Sequence, residues 1–398
     1  MNLNKIIELH DLAKKEGSKY IRKRNAYERI AHVHGKHFLG IIGPRGVGKT
    51  VLLRQYALAH EDAFYLSADT LTHQHDLWEL VKKLHQDFGY NTFLLDEIHF
   101  IPKITTVLKR LYDFLDIHVI FTSSVALAMH ESVHDLSRRM VLEKLYPFSY
   151  REYLAFKHDV IIEPLTFSDL IDRHWSSSHL RYGIYFDDYL RGGLLPFSLA
   201  EPDPLLLLAN TLDKIIHQDI PSIQRLAIEE IVIIKQLLKF TGLSEIDGIN
   251  YSSISKNLGI TKYKAEQYVR CLEQAFVLIQ IFPTGTNVLR EPKIVMAPPY
   301  RLLYRDFEQA AGGLREDYFA LAAHQADIKF SYLKSTRGKK TPDFLVQTNT
   351  EKLAIEIGGS SKGREQFKGI KVDRKLVFAH TDVPDKNRYP LFLLGYLV

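Results

Sequence analysis

The stretch GPRGVGKT, from Gly43 to Thr50, decides how the first part of this chain folds. An apolar run, FLGII (Phe38–Ile42), precedes it, and VLLRQYALAH (Val51–His60) follows it with helical periodicity. A buried strand, a glycine-rich loop and a helix in this order are the setting in which G-x-x-x-x-G-K-[ST] binds phosphates. Successive backbone N–H groups line a concave nest, and the positive end of the helix dipole adds to it. The stretch therefore predicts a site for a nucleoside triphosphate.

The loop supplies specific contacts to the predicted nucleotide. Lys49 is expected to reach the β- and γ-phosphates, and the Thr50 hydroxyl to ligate Mg²⁺, so ATP and Mg²⁺ are the predicted cofactors. The alternative is a glycine-rich strand-to-helix turn that binds nothing, and the full match in this setting argues against it. The residues predicted to contact the nucleotide are Gly43, Pro44, Arg45, Gly46, Val47, Gly48, Lys49, Thr50 and Val51.

Composition and charge limit the class of protein. A chain of 398 residues is long enough for roughly two to four domains, each with its own core. Hydrophobic residues at 46% and charged residues at 25% are ordinary globular values, which exclude global disorder. The formal charge of +5 permits a nucleic-acid partner without requiring one.

Cysteine usage and the start of the chain predict the compartment. The single cysteine, Cys271, excludes an intramolecular disulfide and fits a reducing compartment. The start, MNLNKIIELHDLAKKEG, carries charges throughout and lacks the apolar region of a signal peptide. No run approaches the roughly 18 apolar residues that cross a bilayer, so we expect a cytoplasmic protein without a membrane span. The histidines show no zinc-site spacing, and no zinc is expected.

An acidic pair ends another apolar run about 50 residues after the loop. In NTFLLDEIH (Asn91–His99), a short buried strand is followed by Asp96 and Glu97. At the carboxyl end of a strand, the first carboxylate can hold the water shell of Mg²⁺ and the second can orient an attacking water. We therefore assign Asp96 to the metal and Glu97 to water activation. From residue 38 to 146, strands alternate with helical segments, which predicts an α/β fold with a parallel sheet covered by helices on both faces.

Several motifs together resemble a family of archaeal and bacterial AAA+ ATPases. They occur in the order GPRGVGKTVLLRQ, LLDEIHFIPK, FTSS, DLSRRM, YPFSYREYL (Tyr146–Leu154) and YLRGGLLP (Tyr189–Pro196). The resemblance implies an N-terminal segment and AAA+ P-loop core at residues 1–146 and a helical lid at 147–219. It further implies a winged-helix domain at 220–300 and a restriction-endonuclease-like α/β domain at 301–398.

The resemblance also implies roles for three residues outside the loop. Ser123, or its neighbour Ser124, would sense the γ-phosphate, whereas the alternative is a cap on a helix starting at Val125. Arg139 would reach the nucleotide of a neighbouring subunit as a trans-acting arginine, which implies a homo-oligomer, most simply a hexameric ring. Arg191 of the lid would contact the nucleotide, with a surface arginine at a helix end as the alternative.

Residues 249–283 read as two helices and a strand, and a partner strand around Leu289 to Met296 completes a hairpin, which is the order of a winged helix. Ser252 to Leu258 forms the first predicted helix, and Thr261 caps a second from Lys262 to Ala275. Side chains at the start of the second helix suit contacts to DNA phosphates and grooves. The alternative is a protein-interaction module or a rigid spacer. The candidates for DNA contact are Lys262, Tyr263, Lys264 and Gln267.

The last hundred residues resemble a restriction-type nuclease whose metal site has degenerated. Glu316, Asp343 and Glu356 stand at the positions that the resemblance assigns to metal-binding carboxylates. Gly358 replaces the lysine that helps to activate water, and only a migrated Lys362 would restore it. We therefore expect this domain to bind or to assemble rather than to cut. Two further lysines, Lys339 and Lys340, are candidates to hold a phosphate backbone.

Three functions are consistent with these features. The first is an oligomeric AAA+ motor that translocates on or remodels DNA, like a helicase or a branch-migration enzyme. The second is a nucleotide-gated switch that acts on a protein partner. The third is an ATP-dependent nuclease, which the missing lysine disfavours.

Overall fold

The computed structural model describes residues 3–31, 35–71, 76–125, 138–223, 226–244, 248–285, 291–333, 341–359, 365–386 and 388–398. The chain forms two compact units. The first contains Met1–Pro147 and Asp213–Leu226, and the second contains Phe148–Leu212 and Ala227–Val398. The division into four domains stays a prediction. Among the described residues, no helix is both long and apolar enough to span a membrane.

Helices and strands alternate along the first unit, as the sequence predicts. Its described strands form one parallel sheet in the order β2-β3-β4-β1-β5, flanked by helices. The α/β prediction with a parallel sheet is therefore confirmed. The elements are α1 (Leu3–Gly17), α2 (Asn25–Ala31), β1 (Phe38–Ile42), α3 (Lys49–Ala59), β2 (Ala63–Ser67), α4 (Leu77–Phe88), β3 (Thr92–Asp96), α5 (Ile104–Phe114), β4 (His118–Ser123) and β5 (Met140–Lys144).

The central strands are apolar on both faces because helices cover both sides of a parallel sheet. Every residue of β1 and β3 is buried. Where the chain leaves β1, Gly43 passes so close to the neighbouring backbone that a Cβ at this position would lie 2.0 Å from the carbonyl oxygen of Leu145. Only glycine fits there, so the first residue of the loop is set by packing as well as by phosphate chemistry.

A helical stretch connects the second unit to the returning segment of the first. It consists of α10 (Pro204–Lys214), a π-helical turn (Ile215–Asp219) and α11 (Ile220–Ile223). Pro221 has no N–H and cannot donate to the carbonyl of a preceding turn, which accounts for the irregular helix at this point. The earlier helices of the second unit are α6 (Tyr150–His158), α7 (Phe167–Ile171), α8 (Ser177–Leu180) and α9 (Phe186–Asp188).

The motif YPFSYREYL is a packing element of the second unit. The Ser149 hydroxyl accepts a hydrogen bond from the Glu152 N–H, while the Glu152 carboxylate accepts one from the Ser149 N–H, so the two residues cap α6. Tyr150 is fully buried, and its ring packs edge-on against Tyr189 with 5.2 Å between centroids. In YLRGGLLP, a Cβ on Gly193 would lie 2.5 Å from the Tyr153 ring. Both motifs therefore specify the aromatic core.

The remaining elements of the second unit follow the predicted order. Helices α12, α13 and α14 precede the antiparallel hairpin β6-β7, and Thr261 caps α14 as predicted. The described C-terminal strands form a mixed sheet in the order β12-β11-β10-β9-β8. The elements are α12 (Ile228–Leu243), α13 (Tyr251–Leu258), α14 (Lys262–Gln274), β6 (Leu278–Ile281), β7 (Lys293–Met296), α15 (Phe307–Gln325), β8 (Phe330–Tyr332), β9 (Phe344–Gln347), β10 (Lys352–Gly359), β11 (Arg374–His380) and β12 (Arg388–Pro390). Their assignment as a winged helix and a restriction-endonuclease-like domain stays a prediction.

Candidate nucleotide site and a second carboxylate pocket

The parallel sheet brings the loop and the acidic pair to one edge. The loop follows the carboxyl end of β1, Asp96 ends β3, and Ser123 ends β4, which lies between those two strands. Because parallel strands all end at the same edge, these groups line one crevice. The edge is the usual ligand-binding side of an open α/β sheet.

The loop adopts the conformation that its glycines allow. Gly46 and Gly48 have φ angles of 84° and 94°, in the left-handed region that side chains disfavour. Helix α3 begins at Lys49, and the Leu52 N–H donates to the Gly48 carbonyl at 3.0 Å. The N–H groups of the first helical turn, which includes Thr50, have no carbonyl partner within the helix and are suited to bind an anion.

Lys49 is buried and anchored to its own loop. Its Nζ donates to the carbonyl oxygens of Gly43 at 2.8 Å and Pro44 at 2.9 Å. Burial lowers the pKa of Lys49, and the nearby Glu97 and Asp96 carboxylates oppose this shift.

Two hydroxyl groups hold Asp96. The Tyr65 hydroxyl donates to Oδ2 at 2.7 Å, and the Thr122 hydroxyl donates to Oδ1 at 2.5 Å. Thr122 also accepts a hydrogen bond from the Glu97 N–H at 2.9 Å, so it fixes both acidic residues. Asp96 and the Thr50 hydroxyl fit a Mg²⁺ ion because both offer oxygen ligands at one sheet edge. Sequence reasoning missed Tyr65 and gave no role to Thr122.

Glu97 has an unusual backbone conformation and lies among charged side chains. Its φ of 53° lies in the left-handed region, where a residue other than glycine costs energy and often marks a functional site. Burial alone would raise the pKa of Glu97, but Lys49, His99 and Arg45 hold it below its usual value. The carboxylate is therefore ionised at neutral pH, as a group that orients water requires.

Sequence reasoning missed two further residues of the site, Asp219 and His99. Asp219 is fully buried and accepts hydrogen bonds from Arg45 Nε at 2.9 Å and Nη2 at 2.7 Å. His99 Nδ1 lies 3.2 Å from Glu97 Oε2, and its Nε2 lies 4.0 Å from Asp219 Oδ1. Burial lowers the pKa of His99, although Glu97 and Asp219 partly counteract it. No sequence pattern distinguishes Asp219, which stands in a helical stretch of mixed polar and apolar residues.

Ser123 serves a local turn. Its hydroxyl donates to the Val125 carbonyl at 2.8 Å and accepts from the Val125 N–H at 3.2 Å. The same oxygen lies 3.4 Å from His99 Nδ1. A helix after Val125, which is the capping alternative, lies outside the described residues. The sensor role of Ser123 stays a prediction.

Arg139 lies at the amino end of β1, whereas the loop follows the carboxyl end of this strand. Its carbonyl accepts from the N–H of Phe38, the first residue of β1, whereas the loop follows the last residue of this five-residue strand. At about 3.3 Å per residue, the strand spans roughly 16 Å. The guanidinium group pairs with Asp113 at 2.8 and 3.1 Å. Arg139 therefore does not serve the nucleotide site of its own subunit, and a role in trans stays a prediction.

Arg191 belongs to the second unit and is engaged there. Its Nη2 lies 3.0 Å from Glu308 Oε1, and its guanidinium lies 3.8 Å from the centre of the Phe307 ring. The following Gly192 has a φ of 135°, which ends the helical turn. Contact between Arg191 and a nucleotide stays a prediction.

The three carboxylates predicted from the nuclease resemblance lie near one another in the second unit. The Asp343 carboxylate accepts from the Ile357 N–H at 2.7 Å, which places it beside Glu356 across the β9-β10 hairpin. Burial, reinforced by Glu316 and Glu356, raises the pKa of Asp343 to about 8. Asp343 and Glu316 line a cavity of about 420 Å³.

A lysine that sequence reasoning missed enters this cavity from β7. Lys293 Nζ lies 2.6 Å from Glu316 Oε2, and the residue is buried. Gly358 lines the cavity, and Lys362 lies outside the described residues. No described group of three or more His, Cys, Asp or Glu side chains is arranged to hold a metal ion. That this domain binds or assembles rather than cuts stays a prediction.

The residues predicted to contact DNA already have partners within the chain. Lys262 Nζ lies 2.6 Å from Glu291, and Lys264 Nζ lies 3.6 Å from Glu230. Gln267 donates to the hydroxyl of Tyr263, whose side chain is exposed. The predicted contacts Lys339 and Lys340 lie outside the described residues.

Comparison with known proteins finds a family match in the first part of the chain. Residues 35–154 match a family described as an AAA domain. Over 393 residues the chain is 29% identical to an uncharacterized protein of Methanocaldococcus jannaschii, a match that covers 90% of this chain and 80% of that protein. Over 279 residues it is 26% identical to an uncharacterized protein of Haemophilus influenzae, with 65% of each chain covered. An AAA domain indicates nucleotide binding and hydrolysis, and neither relative's name adds an activity.

Proposed function

We propose that the protein hydrolyses ATP with Mg²⁺ at the site formed by Gly43–Thr50, Asp96 and Glu97. The observation that carries this proposal is the common sheet edge, which brings an ionised Glu97 and a buried Lys49 to the phosphate-binding loop. The AAA domain at residues 35–154 supports the same activity.

Each residue has a defined task in this reaction. Lys49 exchanges its contacts with the Gly43 and Pro44 carbonyls for contacts with the β- and γ-phosphates. When bound, Mg²⁺ neutralises the charge that develops on the phosphate oxygens. Asp96, fixed by the Tyr65 and Thr122 hydroxyls, holds the water shell of the metal. Glu97 orients the attacking water and accepts its proton.

We further propose that ATP hydrolysis drives translocation on DNA or its remodelling in an oligomeric ring. The exposed Tyr263 at the start of α14, the lysines beside it and the net charge of +5 support a DNA partner. The position of Arg139, remote from the loop of its own subunit, supports a shared site between subunits.

A nucleotide-gated switch that acts on a protein partner is the second candidate. The ion pairs of Lys262 with Glu291 and of Lys264 with Glu230 favour it, because a DNA phosphate would have to displace these carboxylates. In this case turnover would be slow and independent of DNA.

ATP hydrolysis measured with and without DNA separates the two candidates. Single-stranded, duplex and four-way branched DNA are each added to the wild-type protein, with Glu97→Gln as the blank. Stimulation by one form, lost as salt is raised, supports the DNA motor and identifies its track. Hydrolysis that no DNA form changes supports the switch, and the absence of hydrolysis in the wild type contradicts the ATPase itself.

A further inference from the structure

The segment Asp213–Leu226 occupies a special place in the chain. It belongs to the first unit, although the residues before and after it belong to the second. Its π-helical turn ends at Asp219, and the Ser222 hydroxyl donates to the Asp219 carbonyl at 2.7 Å. Single π-helical turns occur frequently at functional sites because they place a side chain where a regular helix would not.

The side chain of Asp219 binds the nucleotide loop itself. Both carboxylate oxygens accept hydrogen bonds from Arg45, and the exposed fraction of the Asp219 side chain is 0%. A buried ion pair of this kind contributes little net stability because both charges lose their hydration. The two parallel hydrogen bonds do fix the orientation of the Arg45 guanidinium group. Because Arg45 is the third residue of the loop, they also hold the loop backbone at this position.

The same carboxylate faces the catalytic side of the site. His99 separates Asp219 from Glu97, and its Nε2 makes no hydrogen bond within the described part of the chain. Arg45, His99 and Lys49 are the charged or titratable side chains that lower the pKa of the Glu97 carboxylate. Asp219 therefore contacts the loop directly at Arg45, and His99 lies between it and the water-orienting carboxylate of Glu97.

We infer that Asp219 is a positioning residue of the ATPase site, which acts through Arg45, and that segment 213–226 responds to nucleotide at the loop through this pair. The inference rests on the proposed ATPase function. The chain on both sides of this segment belongs to the second unit, so the segment is covalently joined to that unit, while its contact with the loop is the non-covalent Arg45–Asp219 pair.

A double-mutant cycle tests the action through Arg45. We expect Asp219→Asn to weaken ATP binding and lower kcat/KM by about tenfold or more, because the amide cannot accept both guanidinium bonds. Arg45→Met should have an effect at least as large. In the double variant, the loss should equal that of Arg45→Met alone. Losses that multiply, or an Asp219→Asn variant with wild-type kinetics, would overturn the inference.

A second buried pair provides the matched control. Arg301 and Asp317 form the same two-bond geometry, at 2.6 and 3.0 Å, entirely within the second unit. Asp317→Asn should lower the melting temperature as Asp219→Asn does while leaving the Kd for ATP unchanged. An equal loss of ATP binding in both variants would assign the effect to general destabilisation and refute the positioning role.

Hydrogen exchange of the wild-type protein tests the response of the segment without any variant. With a saturating non-hydrolysable ATP analogue and Mg²⁺, the amides of residues 213–220 and 222–223 should exchange several-fold more slowly than without it. If the wild type binds the analogue and exchange in this segment does not change, the inference fails and the proposed function stands. If the wild type binds no nucleotide, the proposed function fails with it.

Discussion

At the scale of single residues, Lys49 and Glu97 show how one buried site stabilises opposite charges. Burial disfavours both ionised forms, but each charge lies close enough to favour the other. Removal of either one therefore changes the protonation of its partner as well as its own contacts. Variants of the two residues should nevertheless fail at different steps, since one binds phosphate and the other acts on water.

Lys49→Ala should weaken ATP binding by about tenfold to a hundredfold, because the phosphates lose a charge-assisted contact. Isothermal titration with an ATP analogue measures this directly. Lys83→Ala, which removes an exposed lysine from α4, is the control for loss of a positive charge. Wild-type affinity in Lys49→Ala would refute the phosphate-binding role.

Glu97→Gln should retain ATP binding and lower kcat by roughly 10² to 10⁴, because the amide cannot accept a proton from water. Turnover and binding are measured on the same preparation. Glu79→Gln, at an exposed position of α4, should keep the wild-type kcat. A Glu97→Gln variant with normal turnover would show that another group orients the water.

The core of this site is predictable from local spacing, whereas its supporting residues are not. Lys49, Thr50, Asp96 and Glu97 stand at fixed offsets from apolar strands, so the sequence places them at one sheet edge. Asp219 reaches Arg45 across 174 positions of the chain, and no short-range pattern records such a contact. Lys293 reaches the carboxylate pocket from another element for the same reason.

At the scale of secondary-structure elements, β1 and β5 separate Arg139 from the loop. The two strands pair in parallel from Phe38 with Met140 to Ile42 with Lys144. An arginine immediately before β5 therefore lies at the amino end of β1, and the nucleotide loop lies at its carboxyl end. Within one chain this arrangement keeps the two apart, so any role of Arg139 at a nucleotide is predicted only for the site of a neighbouring subunit.

Arg139→Ala should lower kcat by about 10³ if the guanidinium acts in trans. Mixing Arg139→Ala with Lys49→Ala should restore part of the activity, because some sites then combine an intact loop with an intact arginine. Asp113→Asn, which removes only the ion-pair partner of Arg139, separates this role from packing of α5. A mixture as inactive as its components would place Arg139 outside the shared site.

At the scale of the whole molecule, the alternation of elements in the first unit and their order in the second follow from hydrophobic periodicity. The grouping of elements into units does not. Residues 213–219 are the last part of the predicted lid, yet they pack with the first unit because Asp219 and its apolar neighbours are buried there. Helical periodicity shows that a face is buried, and it does not show against which partner.

Stability should depend on pH through Asp343. The folded-state pKa is raised to about 8, well above the ordinary value for an aspartate. This group therefore contributes stability that is fully present below about pH 4 and is lost as the pH rises through about 8. Thermal melting from pH 5 to 9 should show the second unit weakening with pH. Asp343→Asn should flatten this dependence, and exposed Glu61→Gln should not.

The close approach of Gly43 to the Leu145 carbonyl has an evolutionary consequence. A side chain at position 43 would force β5 away from β1, whatever the loop binds. Lys49 contacts only carbonyl oxygens of its own loop, so its replacement would not force β1 and β5 apart. A descendant of this chain that abandons catalysis is thus free to replace Lys49 but must keep Gly43. Among diverged copies of this chain, a retained Gly43 would therefore indicate that the fold is conserved, and a retained Lys49 would indicate that phosphate binding is conserved.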